Sequence, residues 1–187
     1  CEYNINNIRE LMTEAYKADT AIAVFPEMCI TGYTCNDLFL HDRLLNAALE
    51  GLVCLRDYSA YTPGMMSFVG LPYEMNGKLY NVVAALMNGR IYGMVPKMFL
   101  PNYGEFYERR QFTPGFKECV NVEIAGEKIP FGSNLLITYD NNRKLKVAVE
   151  ICEDLWTPEP PSISHAKNGA TLIVNASASN ETIGKDS

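Results

Sequence analysis

The chain has 187 residues, 48% of them hydrophobic and 20% charged, which supports one packed domain and excludes a disordered segment. A net charge of −6 argues against nucleic acid or an anionic membrane as the main partner. No apolar run is long enough to span a bilayer, and the first residues lack the basic-then-apolar pattern of a signal peptide.

Ile5, Ile8, Leu11, Met12, Ala15 and Tyr16 recur near helical spacing and predict an amphipathic helix over 4–18. Residues 21–25 read as a buried strand closed by Pro26, so Glu27 falls just past a strand's carboxyl end. A loop over 28–33 leads to a second predicted helix, 38–58, carrying Leu44, Leu45, Ala48, Leu52 and Leu55. Asn76-Gly77 and Asn88-Gly89, each between β-type residues, are hairpin turns. They make 66–96 an antiparallel meander with strands 66–74, 79–87 and 90–95, delivering Lys97 at its end.

Residues 98–116 hold Pro101, Gly104, Pro114, Gly115 and several aromatics, and read as a long irregular loop of the functional kind. Strands are expected at 120–124, 134–139 and 144–151, the last leading into Cys152. A Pro-rich break at 157–161 precedes a helix over 161–168, and a final strand, 171–175, ends in the small polar run 176–179. Helices between strands, combined with hairpins, imply an α/β protein with a mixed sheet or two packed sheets covered by helices. In such folds the functional crevice lies beyond the strands' carboxyl ends. Glu27, Lys97, Cys152, Ser177 and Ser179 all fall at such ends.

That set suits thiol-dependent amide cleavage. The reaction needs a nucleophile, a base that takes the thiol proton and later activates water, and a positive group for the oxyanion. Cys152 is the expected nucleophile, with Glu153 and Asp154 suited to the first turn of a following helix whose positive end would lower the thiol pKa. His41 and His165 read as structural or exposed, leaving Glu27 as base and Lys97 as stabiliser. Singly, each residue has a blander role: loop carboxylate, solvated ammonium, inert buried thiol, turn serine. The aromatics Tyr103, Phe106, Tyr107 and Phe112 similarly read as loop packing. Cys1, Cys29, Cys35, Cys54, Cys119 and Cys152 contain no C-x-x-C pair, so reduced thiols in a cytoplasmic protein are expected, with no metal site.

Three stretches in order, Phe25-Pro-Glu27-Met-Cys-Ile-Thr-Gly-Tyr33, Pro96-Lys97-x-x-Leu100-Pro101 and Glu150-Ile-Cys152-Glu-Asp154, resemble the Glu, Lys and Cys signatures of the nitrilase (carbon–nitrogen hydrolase) superfamily. Within it, residues 31–39, 100–112 and 175–185 resemble the glutaminase domains of glutamine-dependent NAD synthetases. The resemblance implies a nitrilase-like four-layer α-β-β-α sandwich, incomplete over this length, with Glu27 as base, Lys97 as electrostatic stabiliser and Cys152 as nucleophile. It further implies Glu105 as the second glutamate orienting the lysine, and Tyr103, Glu153, Ser179 and Lys185 as glutamine contacts. Ammonia would pass to a synthetase domain of the same protein, where ATP and Mg act.

Neither a Ser-Gly-Gly-x-Asp-Ser loop nor a G-x-x-x-x-G-K-[ST] stretch occurs in this chain, so no cofactor is expected within it. The start at Cys1 and end at Ser187 read as part of a longer protein, a partial glutaminase domain whose missing strands would leave a core face and a sheet edge uncovered. Homo-oligomers are expected from the resemblance. A stand-alone amidase on another small amide and a non-catalytic assembly module are the alternative readings.

Overall fold

The computed structural model describes residues 1–139 and 142–180. Its elements are α1 (Glu2–Lys17), β1 (Ile22–Val24), α2 (Asp42–Tyr58), β2 (Met66–Met75), β3 (Lys78–Met87), β4 (Arg90–Pro96), β5 (Val120–Ile124), β6 (Glu127–Phe131), β7 (Ile137–Tyr139), β8 (Asn142–Ile151), α3 (Pro161–Lys167) and β9 (Leu172–Ala176). One sheet has the order β1-β2-β3-β4-β6-β5 and the other β7-β8-β9.

The layering follows from which faces are apolar. Side chains alternate across a strand, and on the meander both faces are buried. Val69 and Leu71 of β2 and Tyr80, Val82, Ala84 and Leu86 of β3 meet Ile8 and Met12 of α1 and Ala48, Leu52 and Leu55 of α2. Their alternating neighbours Met66, Phe68, Val83, Ala85 and Met87 face the other way, onto Ile137, Val147, Val149, Ile151 and Val174 of the second sheet. Helix α3 packs on β8 from outside. The described residues therefore stack as helix, sheet, sheet, helix.

Both Asn-Gly pairs form the expected turns, with all four residues at positive φ (Asn76 53°, Gly77 70°, Asn88 51°, Gly89 74°). A third hairpin joins β5 to β6 through Ala125-Gly126, with φ of 49° and 78°. The sequence reading leaves 125–133 unassigned, because alanine is not a left-handed turn former and Pro130 discourages a strand. Sheet position resolves this: β6 also pairs in parallel with β4, at Met94–Phe131.

Other expectations shift. The helix predicted over 38–58 is a kinked 3₁₀ segment, Tyr33–Leu40, followed by α2, with His41 extended between them. β1 is an edge strand, its Val24 exposed rather than buried. β7 is shorter than predicted, and Cys152–Trp156 is a five-residue 3₁₀ turn rather than a helix.

Gly70 lets the Glu27 loop lie against β2. A Cβ there would sit 2.4 Å from the Met28 backbone nitrogen and 3.0 Å from the Glu27 carbonyl carbon. The Ile30 N–H donates to the Gly70 carbonyl at 3.1 Å, closing the contact. Backbone cannot swing aside as a side chain can, so Gly70→Ala should cost about 1–3 kcal/mol of unfolding free energy in urea denaturation.

Candidate active site

Three strand ends converge. Glu27 follows β1, and Lys97 follows β4. The Lys97 backbone is pinned on both sides, its N–H donating to the Asn81 carbonyl at 2.8 Å and its carbonyl accepting from the Gly115 N–H at 2.7 Å. Gly115 must be small, since a Cβ would meet the Pro96 and Lys97 carbonyl oxygens at 2.8 and 3.0 Å. Cys152 follows β8 with φ of 45°, a left-handed conformation that costs a non-glycine residue about 1–2 kcal/mol. Ile151 pairs in parallel with Ala176 of β9, which carries Ser177 and Ala178 alongside the thiol.

Lys97 Nζ donates to Glu27 Oε1 at 2.7 Å and to Glu108 Oε1 at 2.6 Å. All three residues are buried, at 1%, 2% and 4% exposure. Asn81 Nδ2 donates to Glu27 Oε1 at 2.6 Å, and the Tyr33 hydroxyl to Glu108 Oε1 at 2.6 Å. The Ala178 N–H donates to Glu27 Oε2 at 3.2 Å. Carboxylate, ammonium and thiol thus meet at one rim, close enough for the Glu27 and Lys97 charges to act on the Cys152 sulfur.

The electrostatics define the resting state. Burial would push the Lys97 ammonium down, but the Glu27 and Glu108 carboxylates outweigh it and hold its pKa above the ordinary lysine value. Glu108 is raised by burial and by the Glu27 charge, against the pull of Lys97 and Tyr33. Cys152 is also raised, by burial first and the Glu27 carboxylate second; Lys97, the Ser177 hydroxyl and the Ala178 N–H oppose this without prevailing. This corrects the expectation of a thiolate held by a helix end. The short 3₁₀ turn has no macrodipole to match the desolvation, and the Glu27 carboxylate repels a second negative charge.

Glu105 is the other correction. The glutamate on Lys97 is Glu108, three residues further on, while the exposed Glu105 accepts a hydrogen bond from Asn180 Nδ2. The irregular loop folds so that a 3₁₀ turn, Glu108–Arg110, aims Glu108 inward, its N–H held by the Pro101 carbonyl at 3.2 Å. Tyr103 and Glu153 are brought together, hydroxyl to Oε2 at 2.8 Å, at an exposed edge. Ser179 is exposed beyond β9, and Lys185 lies outside the described residues. A cleft of about 410 Å³ opens beside Tyr33 and Glu108, with Met28, Phe39 and Phe112 among its walls and Arg110 on its lining.

Sequence reasoning missed Asn81, Glu108 and the hydroxyl role of Tyr33. Asn81 had a usable signal, a lone amide within an apolar strand. Glu108 had only its place in a run of charged and aromatic residues. Cys29 and Cys35 behave as inert thiols, burial pushing the first up to about 12 and raising the second. Among the described residues no group of three or more His, Cys, Asp or Glu could hold a metal ion.

Two measurements check this geometry. Glu108→Ala, which strips a partner from a buried ammonium, should cost about 3–5 kcal/mol of stability, whereas Glu105→Ala should stay within about 0.5 kcal/mol. Because the raised pKa keeps Cys152 protonated at neutral pH, its iodoacetamide alkylation, followed by peptide mass spectrometry, should climb with a midpoint above 9.0. A midpoint below 9.0 would contradict the assignment.

The fold and site have known counterparts. The carbon-nitrogen hydrolase family matches residues 1–186. A glutamine-dependent NAD(+) synthetase of Mycobacterium bovis is 37% identical over 182 residues, covering 97% of this chain and 27% of that protein. The Homo sapiens enzyme of the same name is 30% identical over 194 residues, with 98% and 27% coverage. A crystal structure of a glutamine-dependent NAD(+) synthetase from Cytophaga hutchinsonii superposes with a TM-score of 0.84 at 35% identity, covering 99% of this chain and 29% of that one. An amidase from Nesterenkonia sp. shares the fold with a TM-score of 0.71 at 18% identity, over 97% and 61%. The chain thus spans about a quarter of the length of the synthetases it resembles. With a match along nearly its whole length, and with an ammonium, a carboxylate and a thiol gathered at its strand ends, the chain belongs to the carbon-nitrogen hydrolase family.

Proposed function

We propose that this domain hydrolyses the side-chain amide of glutamine and supplies the ammonia to NAD synthesis. The observation that carries the reading is the buried Lys97 held between Glu27 and Glu108, with the Cys152 thiol within the field of the Glu27 carboxylate and the Lys97 ammonium. Likeness to synthetases described as glutamine-dependent supports the substrate.

The thiol is protonated at rest, so the first step needs the base. Glu27 takes the Cys152 proton as sulfur attacks the carboxamide carbon and the S–C bond forms. The oxyanion is met by the Lys97 ammonium and by the Glu153 backbone N–H, the next donor along the chain. Collapse breaks the C–N bond, the proton passes from Glu27 to the leaving nitrogen, and ammonia departs from a γ-glutamyl thioester. Water, deprotonated by Glu27, then attacks the thioester, the C–S bond breaks, and glutamate leaves as the thiol is restored. Tyr103, Glu153, Ser179 and Lys185 are the proposed contacts to the amino acid; the Tyr103–Glu153 hydrogen bond supports a polar rim there.

The ammonia would serve a synthetase domain of the same protein, which adenylates deamido-NAD with ATP and Mg and then aminates it. Homo-oligomeric assembly and a cytoplasmic setting belong to the same proposal, the latter supported by six cysteines that are all unpaired. No helix among the described residues is long and apolar enough to cross a membrane.

In the full-length protein, Cys152→Ala should lower glutamine hydrolysis by at least about 10³-fold while ammonia-driven NAD formation persists. Retained glutaminase turnover would overturn the nucleophile. Turnover of other small amides in place of glutamine would overturn the substrate.

A further inference from the structure

The turn after the nucleophile carries a second buried carboxylate that takes no part in the chemistry above. Asp154 is 1% exposed. Its Oδ2 accepts the Ile151 N–H at 2.9 Å, an ordinary local contact within the turn. Its Oδ1 reaches across the chain to accept the N–H of Met98 at 3.0 Å and of Phe99 at 2.8 Å. Met98 and Phe99 directly follow Lys97, and Ile151 directly precedes Cys152. Capping of its own turn accounts for one of these bonds and leaves the two long-range ones unexplained.

We propose that Asp154 is a positioning residue that ties the Lys97 segment to the nucleophile turn, one buried carboxylate bridging peptide N–H groups beside both reactive side chains. This rests on the reading that Lys97 and Cys152 carry the reaction. The bridge fixes two things the reaction needs. It holds the left-handed backbone of Cys152, which has no intrinsic preference for that conformation. It also keeps the Lys97 backbone at a set distance from the sulfur, where a displacement of about 1 Å costs a hundredfold in rate.

All three partners are donors, so the ionised carboxylate satisfies them and the protonated acid does not. Burial raises the Asp154 pKa to about 6, opposed by the three N–H groups and by the field of the Lys97 ammonium. Of the other titratable groups on the packed elements, Cys152 and Glu153 share the turn, Arg143, Lys144, Lys146 and Glu150 lie on β8 and His165 and Lys167 on α3, while β9 contributes none. With a raised folded-state value, the native protein takes up this proton more readily than the unfolded chain. Between 3.8 and about 6 the group therefore adds stability as pH falls. Acid releases the bridge without unfolding the domain through this residue.

The test has two arms on the full-length protein. Hydrogen exchange by mass spectrometry, corrected for intrinsic rates, should show segments 97–100 and 149–152 losing protection together on acidification, with one midpoint near 6. Independent losses, or none, overturn the bridge. This arm assumes no activity and stands if Asp154→Asn fails to fold. In a folded Asp154→Asn variant the amide still accepts from one segment but presents a donor to the other. Its kcat for glutamine should fall about ten- to a hundredfold, with KM changed less than about threefold, and the acid limb near 6 should vanish. Wild-type kcat with the limb intact overturns the proposal. A wild-type protein that hydrolyses no glutamine sinks the functional reading instead, and exchange alone then decides the role of Asp154.

Discussion

An ammonium shut between two carboxylates is the constraint on which this structure turns. Lys97 has lost its water entirely, and such a charge survives burial only where good geometry and further hydrogen bonds replace hydration. The two carboxylates supply the geometry, and Asn81 and Tyr33 add donors to the oxygens that the lysine already uses. With all three groups ionised the enclosure carries one excess negative charge. Burial first, and that excess after it, push Glu108 up, while the two carboxylates keep Lys97 firmly protonated.

The same charge shapes the thiol. A cysteine beside an ammonium would ordinarily be activated toward thiolate, yet here burial and the Glu27 carboxylate prevail. The resting site is consequently neutral sulfur beside the Glu27 carboxylate. In the proposed reaction the sulfur becomes charged only as its proton moves to Glu27, which would couple deprotonation to attack. This arrangement also spares the domain a second uncompensated anion in a desolvated rim.

The sandwich makes the convergence possible. Glu27 and Lys97 come from strands of the six-stranded sheet, and Cys152 and Ala178 from the ends of β8 and β9 in the other. The apolar layer of Phe68, Val83, Val147 and Val149 sets the spacing between sheets, and with it the spacing between Glu27 and Cys152. Gly70 and Gly115 remove the Cβ atoms that would hold the Glu27 and Lys97 loops away. The left-handed Cys152 lies in a turn whose Asp154 carboxylate accepts the Ile151, Met98 and Phe99 N–H groups.

Patterns with short-range causes were legible without coordinates. Helical spacing marked α1 and the body of α2, a Pro-rich break marked the start of α3, and two Asn-Gly pairs marked the meander, because a turn needing positive φ selects those residues locally. Glu27, Lys97 and Cys152 could be chosen because strand endings are readable and the site lies beyond them. What depended on distant parts of the chain was not readable. Ala125-Gly126 turns a hairpin because β6 has β4 to pair with, and Val24 is exposed because β1 lies at an edge. Glu108 rather than Glu105 meets Lys97 because an aromatic loop closes in one way, and no spacing rule records that closure. Local sequence thus determined the elements and the chemical types at their ends. Tertiary packing alone decided which carboxylate is desolvated beside the lysine and whether the cysteine rests as a thiol, since burial and neighbouring charge are properties of the assembled core.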